Sequence, residues 1–157
     1  MAVRADVFRE HKFAEDILEM GSETEFTVRT EKSGRRCWHF HASPVGHIIR
    51  TYQLKPEWHG QRAYAHGRGT AMVFHKNNKE ALGHSLQRSI RLIKGAGRVT
   101  IAACKFAGSR LLADDCDQFK AYLDLQYRRG VFAERRALAA AYGMSAPKVT
   151  GEKSSIP

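Results

Sequence analysis

Glu25-Phe26-Thr27-Val28-Arg29-Thr30, then Glu31-Lys32-Ser33-Gly34, then Arg36-Cys37-Trp38-His39-Phe40-His41-Ala42, is the stretch that decides the fold class. Phe26 and Val28 alternate with polar residues in the first run, and Trp38, Phe40 and Ala42 do so in the second. Two runs of period two around a polar, Gly-containing turn predict a β-hairpin. Trp38 then belongs to the core with Phe40. The opposite face of the second strand carries Cys37, His39 and His41 in a row.

Before the hairpin, Val7, Phe8, Phe13, Ala14, Ile17 and Leu18 fall on adjacent helical rows, which predicts an amphipathic helix from Arg4 to Met20 stopped by Gly21. Its acidic side holds Asp6, Glu10, Glu15, Asp16 and Glu19 and so is not a nucleic-acid contact; the helix is expected to cover one side of the core, with contact to a basic protein partner as the alternative. After the hairpin, His47 to Leu54 is expected as a strand. Lys55 to Gly69, with Pro56 and three glycines, is expected as a long surface loop presenting Trp58, Arg62, Tyr64 and Arg68. Thr70 to His75 returns to strand. Asn77 caps a helix with Leu82, Leu86, Ile90 and Ile93 inward and a ridge of His84, Arg88, Arg91 and Lys94 outward, ended by Gly95.

Arg98 to Phe106 is apolar on both faces and reads as a central strand. Asp114 caps a helix to Arg129, and Phe132 to Tyr142 forms a shorter one after Gly130. The expectation is an α+β protein: a mainly antiparallel sheet of about five strands, an N-terminal helix, one basic helix and a C-terminal helical pair. Residues 1–130 would form an α+β nucleic-acid-facing domain, and 131–157 a helical C-terminal segment ending in a disordered tail.

Charge carries the functional signal. The net charge is +10, with a pI near 9.9. From Lys32 to Arg110 there are fifteen Lys or Arg against two acids, Glu57 and Glu80, and seven of the eight histidines. Cations interleaved with aromatics form a surface that meets phosphate and bases. Arg35, Arg36, Arg50, Lys55, Arg62, Arg68, Arg88, Arg91 and Lys94 are the candidate phosphate contacts, and Trp58 and Tyr64 the candidate stacking residues.

Other chemistries are weaker. Cys37, His39 and His41 are of metal-ligand type, but with His47, His59, His66 and His75 they form no recognised ligand spacing, so neither metal nor cofactor is expected. Asp114, Asp115 and Asp117 are explained by a helix N-terminus. There is no P-loop and no nucleophile elbow. No apolar run is long enough to cross a membrane, no signal-peptide pattern opens the chain, and Cys37, Cys104 and Cys116 form no C-x-x-C, which together suggest a cytoplasmic protein.

Three resemblances sharpen these expectations. Leu138-Ala-Ala-Ala-Tyr-Gly-Met-Ser-Ala-Pro-Lys-Val149 resembles a helix-turn-helix segment. That resemblance implies a turn at Gly143, a recognition helix capped by Ser145, and DNA contacts from Arg135, Arg136, Lys148 and Lys153. Phe40-His41-Ala42-Ser43-Pro44 and the segment from Tyr142 to Glu152 are similar to motifs of the ADP-ribosyltransferase fold, which implies an NAD-using enzyme in which His41 positions NAD and Glu152 stabilises the oxocarbenium ion. His39-Phe40-His41 resembles the His-hydrophobe-His motif of rolling-circle initiators, relaxases and small single-strand transposases, which implies a divalent ion on both histidines and Tyr122 or Tyr127 as nucleophile. The bulk charge favours a non-enzymatic DNA- or RNA-binding regulator, or an accessory protein of a mobile element. The two enzyme types and a protein-protein interaction module are the alternatives.

Overall fold

The computed structural model describes residues 3–15, 20–36, 46, 48–77 and 85–144, and for 85–88 and 142–144 the backbone alone. Among these residues the structure is all-α, with no strand: the expected α+β sheet is overturned. The helices are α1 (Ala5–Glu10), α2 (Ser22–Lys32), α3 (Pro56–Asn77), α4 (Ser85–Leu112) and α5 (Asp115–Met144), with a single 3-10 turn at Thr51–Leu54.

The first strand of the expected hairpin lies inside α2. Alternation over six residues is ambiguous when its members also fit a helical face: Phe26 and Thr30, four apart, are both buried. Local interactions favour the helix. Arg29 pairs with Glu25 at 2.8 Å, and the Thr30 hydroxyl donates to the Phe26 carbonyl at 2.8 Å. The second strand, Arg36 to Ala42, lies outside the described residues apart from Arg36.

The expected loop at 55–69 and strand at 70–75 are together the helix α3, opened by Pro56 at the position where proline suits a helix start. Its glycines are not breakers. Gly60, Gly67 and Ala71 are buried on the side that meets α5. A methyl group built at Gly67 would overlap the Tyr127 carbonyl oxygen, and one built at Gly130 the Tyr64 carbonyl oxygen. Glycine is there because the two main chains touch, and packing outweighs helix propensity.

α4 absorbs the expected central strand Arg98–Phe106 and runs through Gly95, where the basic helix was expected to end. Its alanines are strong helix formers, and Ala102 is buried against α5. α5 starts as expected, with the Asp114 carboxylate accepting the Asp117 N–H at 2.8 Å. The expected break at Gly130 is absent: one helix continues to Met144, through Gly143. The N-terminal helix is shorter than expected. After Glu10 the chain turns so that Phe13 packs on Phe26 and Phe8, with ring centroids at 4.7 and 5.8 Å.

The partners fix the arrangement. His59 meets Phe119 at 5.7 Å, His66 meets Tyr127 at 5.6 Å and Arg68 meets Glu134 at 2.9 Å, so residue numbers rise together and α3 runs parallel to α5. Gly95 lies beside Phe132 and Phe106 beside Tyr122, so α4 runs antiparallel to α5. α5 is the middle helix; α3 and α4 meet each other where Arg91 lies over Phe74. Contact between α3 and α4 is slight, and the buried apolar residues are only Phe26, Ala71 and Ala102 among those described. The α1–α2 unit docks on the last turns of α3, where Gly21 packs on Gly69 and Lys32 donates to the Asn77 carbonyl at 2.9 Å.

Candidate nucleic-acid interface

α4 is 28 residues long and holds six Lys or Arg (Arg88, Arg91, Lys94, Arg98, Lys105, Arg110) and no acid. In α5 the acids Asp115, Asp117 and Asp124 lie in the first turns, while from Gln126 to Met144 the only acid is Glu134, beside Arg128, Arg129, Arg135 and Arg136. Since α4 and α5 are antiparallel, the basic first half of one lies along the basic second half of the other. The hairpin is therefore polarised, acidic at its connecting turn and cationic at its far end.

Two arginine groups form at that end. Arg129 and Arg136, two turns apart on one face of α5, line a groove of about 550 Å³ with Phe132, Tyr64 of α3 and Val99 of α4. Both arginines are exposed at its rim. Arg135 turns the other way, toward Arg98 and Arg91. Burial first, and then the neighbouring Arg98 and Arg91 guanidinium groups, hold the Arg135 guanidinium below its ordinary pKa. Like charges brought together beside a largely apolar groove with an arginine rim suit an anion placed among them. The nearby Glu134 carboxylate is engaged by Arg68.

The sequence-expected contacts scatter over the molecule. Arg35 pairs with Glu10 at 2.8 Å and approaches Asp6 at 3.9 Å, so it holds α1 in place. Arg36, Arg50 and Lys55 are exposed, the last immediately before α3. Arg62 stacks over Trp58 at 5.2 Å, while Tyr52 and His59 pack edge-on to the same indole. Trp58 is thus a half-buried helix residue, not a loop aromatic. Tyr64 lines the groove, Arg68 serves the ion pair, and Arg91 and Lys94 lie in the basic half of α4. The backbone of Arg88 is in the first turn of α4. Lys148, His39, His41 and Glu152 lie outside the described residues, as do the His-hydrophobe-His motif and most of the ADP-ribosyltransferase-like segments, whereas residues 138–144 of the helix-turn-helix-like segment are the end of α5, helical through Gly143 where that resemblance implied a turn.

The sequence reading missed Arg98 and Arg129, and placed Arg135 and Arg136 only within the helix-turn-helix resemblance. The available signals were the absence of any acid between Glu80 and Asp114 for Arg98, and the single acid, Glu134, between Gln126 and Met144 for the others. Among the described residues no three His, Cys, Asp or Glu side chains gather as a metal site, and no helix is long and apolar enough to cross a membrane. Comparison of the chain with protein-family models, with curated protein sequences and with solved structures finds no match.

Proposed function

We propose that this chain binds nucleic acid through the cationic end of the α4–α5 hairpin, as a non-catalytic DNA- or RNA-binding protein. The observation that carries the reading is the 28-residue acid-free helix α4 laid along Arg129, Arg135 and Arg136 of α5. Phosphates would lie along Arg129 and Arg136 at the groove rim, with Arg91, Lys94, Arg98 and Arg135 extending the field across α4. Tyr64 and Phe132 offer apolar ring surface within the groove to a base or sugar.

The test is fluorescence anisotropy with labelled single- and double-stranded DNA and RNA over a salt series. If about five phosphates are neutralised, log K against log salt falls with a slope of about −4.5 on duplex. Arg129→Ala with Arg136→Ala should make the slope shallower by about two, at every sequence tested. Weak binding with a flat salt response on all four probes, or an unchanged slope in the double variant, would reject this reading.

A further inference from the structure

We propose that the outer face of α4 is where two copies of this chain associate, the two helices antiparallel with Gly97 of each opposite Gly108 of the other. This proposal does not rest on nucleic-acid binding.

The face is apolar from Ile90 to Leu112. Ile90 is 40% exposed, Ile93 70%, Ile101 58%, Leu111 83% and Leu112 92%. Positions 90, 93, 97, 101, 104, 108 and 111 step by three or four and so form one stripe, pointing away from α5. Gly95, Ala102 and Phe106 occupy the side against α5. A stripe of exposed isoleucine and leucine interspersed with Gly97, Cys104 and Gly108 marks an interaction site.

The glycines show what kind of surface fits it. Inside the chain, Gly67 and Gly130 stand where two helices touch at main chain. A methyl group at Gly97 or Gly108 would meet nothing within 4 Å, so neither has such a reason in the single chain. Each costs the helix about 1 kcal/mol relative to alanine. A second helix laid across them uses that space as α3 and α5 use theirs.

Charge selects the second copy and its direction. Two α4 helices side by side in parallel would align six cations with six cations. Reversed, each basic first half lies near the other copy's Asp114–Asp117 turn: with Gly97 facing Gly108, position 91 falls opposite 114, and Lys94 comes within reach of that turn. A pair related by a two-fold axis makes this contact twice. At about 1.5 Å per residue α4 is about 42 Å long, a length over which a helix pair can approach the roughly 800 Å² per partner of a stable interface.

The experiment is sedimentation equilibrium of the full chain without nucleic acid, from about 1 to 100 μM, a range that brackets micromolar association. Wild type should reach twice 17.7 kDa, and Ile101→Asp should remain at 17.7 kDa with unchanged helicity by circular dichroism. Lys94→Glu should weaken association about three- to tenfold, because it loses an attraction at both ends. A short bis-maleimide should join two chains through Cys104 in a Cys37→Ser, Cys116→Ser background, since Cys104 lies near the axis. A wild-type monomer throughout the range, or dimers in Ile101→Asp, would overturn the proposal and leave this face to a different partner. Dimers that Lys94→Glu tightens, or that yield no Cys104 cross-link, would overturn the antiparallel arrangement.

Discussion

The Arg68 guanidinium meets the Glu134 carboxylate at 2.9 Å, and the two ends of this pair differ in surroundings: the carboxylate is 10% exposed and the arginine 40%. The buried partner is the one that suffers if left alone. Arg68→Ala strands a carboxylate between α3 and α5 and should cost about 2 kcal/mol, reduced from the fully buried case by the arginine's exposure. Glu134→Gln keeps the shape and a hydrogen-bond acceptor, and should cost about half as much. Urea denaturation of the two variants measures the difference; equal losses would show that the pair's asymmetry has no energetic weight.

Gly67→Ala and Gly130→Ala should each destabilise the protein by about 1–3 kcal/mol, although alanine is the better helix former by about 1 kcal/mol. The added methyl group overlaps a carbonyl oxygen that belongs to the neighbouring backbone and cannot swing aside. A rise in melting temperature for either variant would contradict the close approach of α3 and α5.

Trp58→Ala should lower stability by about 1–2 kcal/mol, because the indole packs against Tyr52 and His59 and carries Arg62 on its face. Its effect on nucleic-acid affinity, compared at a temperature where both proteins are folded, should be under threefold, well inside one tenfold step of 1.4 kcal/mol. A selective loss of binding with stability intact would restore the stacking role.

Arg135→Met should raise the melting temperature in low-phosphate buffer. The guanidinium is held charged at a cost, from burial and from Arg98 and Arg91 alongside, and methionine removes the charge while keeping an apolar stem. Inorganic phosphate should stabilise wild type and act less on the variant. Loss of stability in Arg135→Met without phosphate would show that Arg135 is held by partners that outweigh the repulsion.

Some of this structure was legible in the chain and some was not. Asp114 as a cap and the helix after it follow from local chemistry, and the structure keeps them; the basic helix does not keep its expected faces, since Ile90 and Ile93, expected inward, are exposed and Arg91 lies over Phe74. α3 was hidden because its helical period is written in small residues: Gly60, Gly67 and Ala71 repeat on one side where a reader looks for leucine. Only the presence of α5 turns those glycines from breakers into contacts. α2 was hidden for a different reason, since Phe26, Val28 and Thr30 satisfy a strand and a helix alike, and the Glu25–Arg29 spacing that decides between them carries little weight alone. The cationic end was half visible: each arginine could be counted, but that Arg98 lies by Arg135 depends on the hairpin's antiparallel register.

The contact of α3 with α5 at Gly67 and Gly130 also sets how the molecule yields. A joint made of side chains can creep as rotamers change, whereas one made of main chain has no play: α3 cannot slide along α5 without first lifting clear of it. These two helices act as a keel. α4 rides on that keel by smaller side-chain contacts and is the plank that loosens first, so warming should release the amides of α4 to exchange while those of α3 and the middle of α5 stay closed.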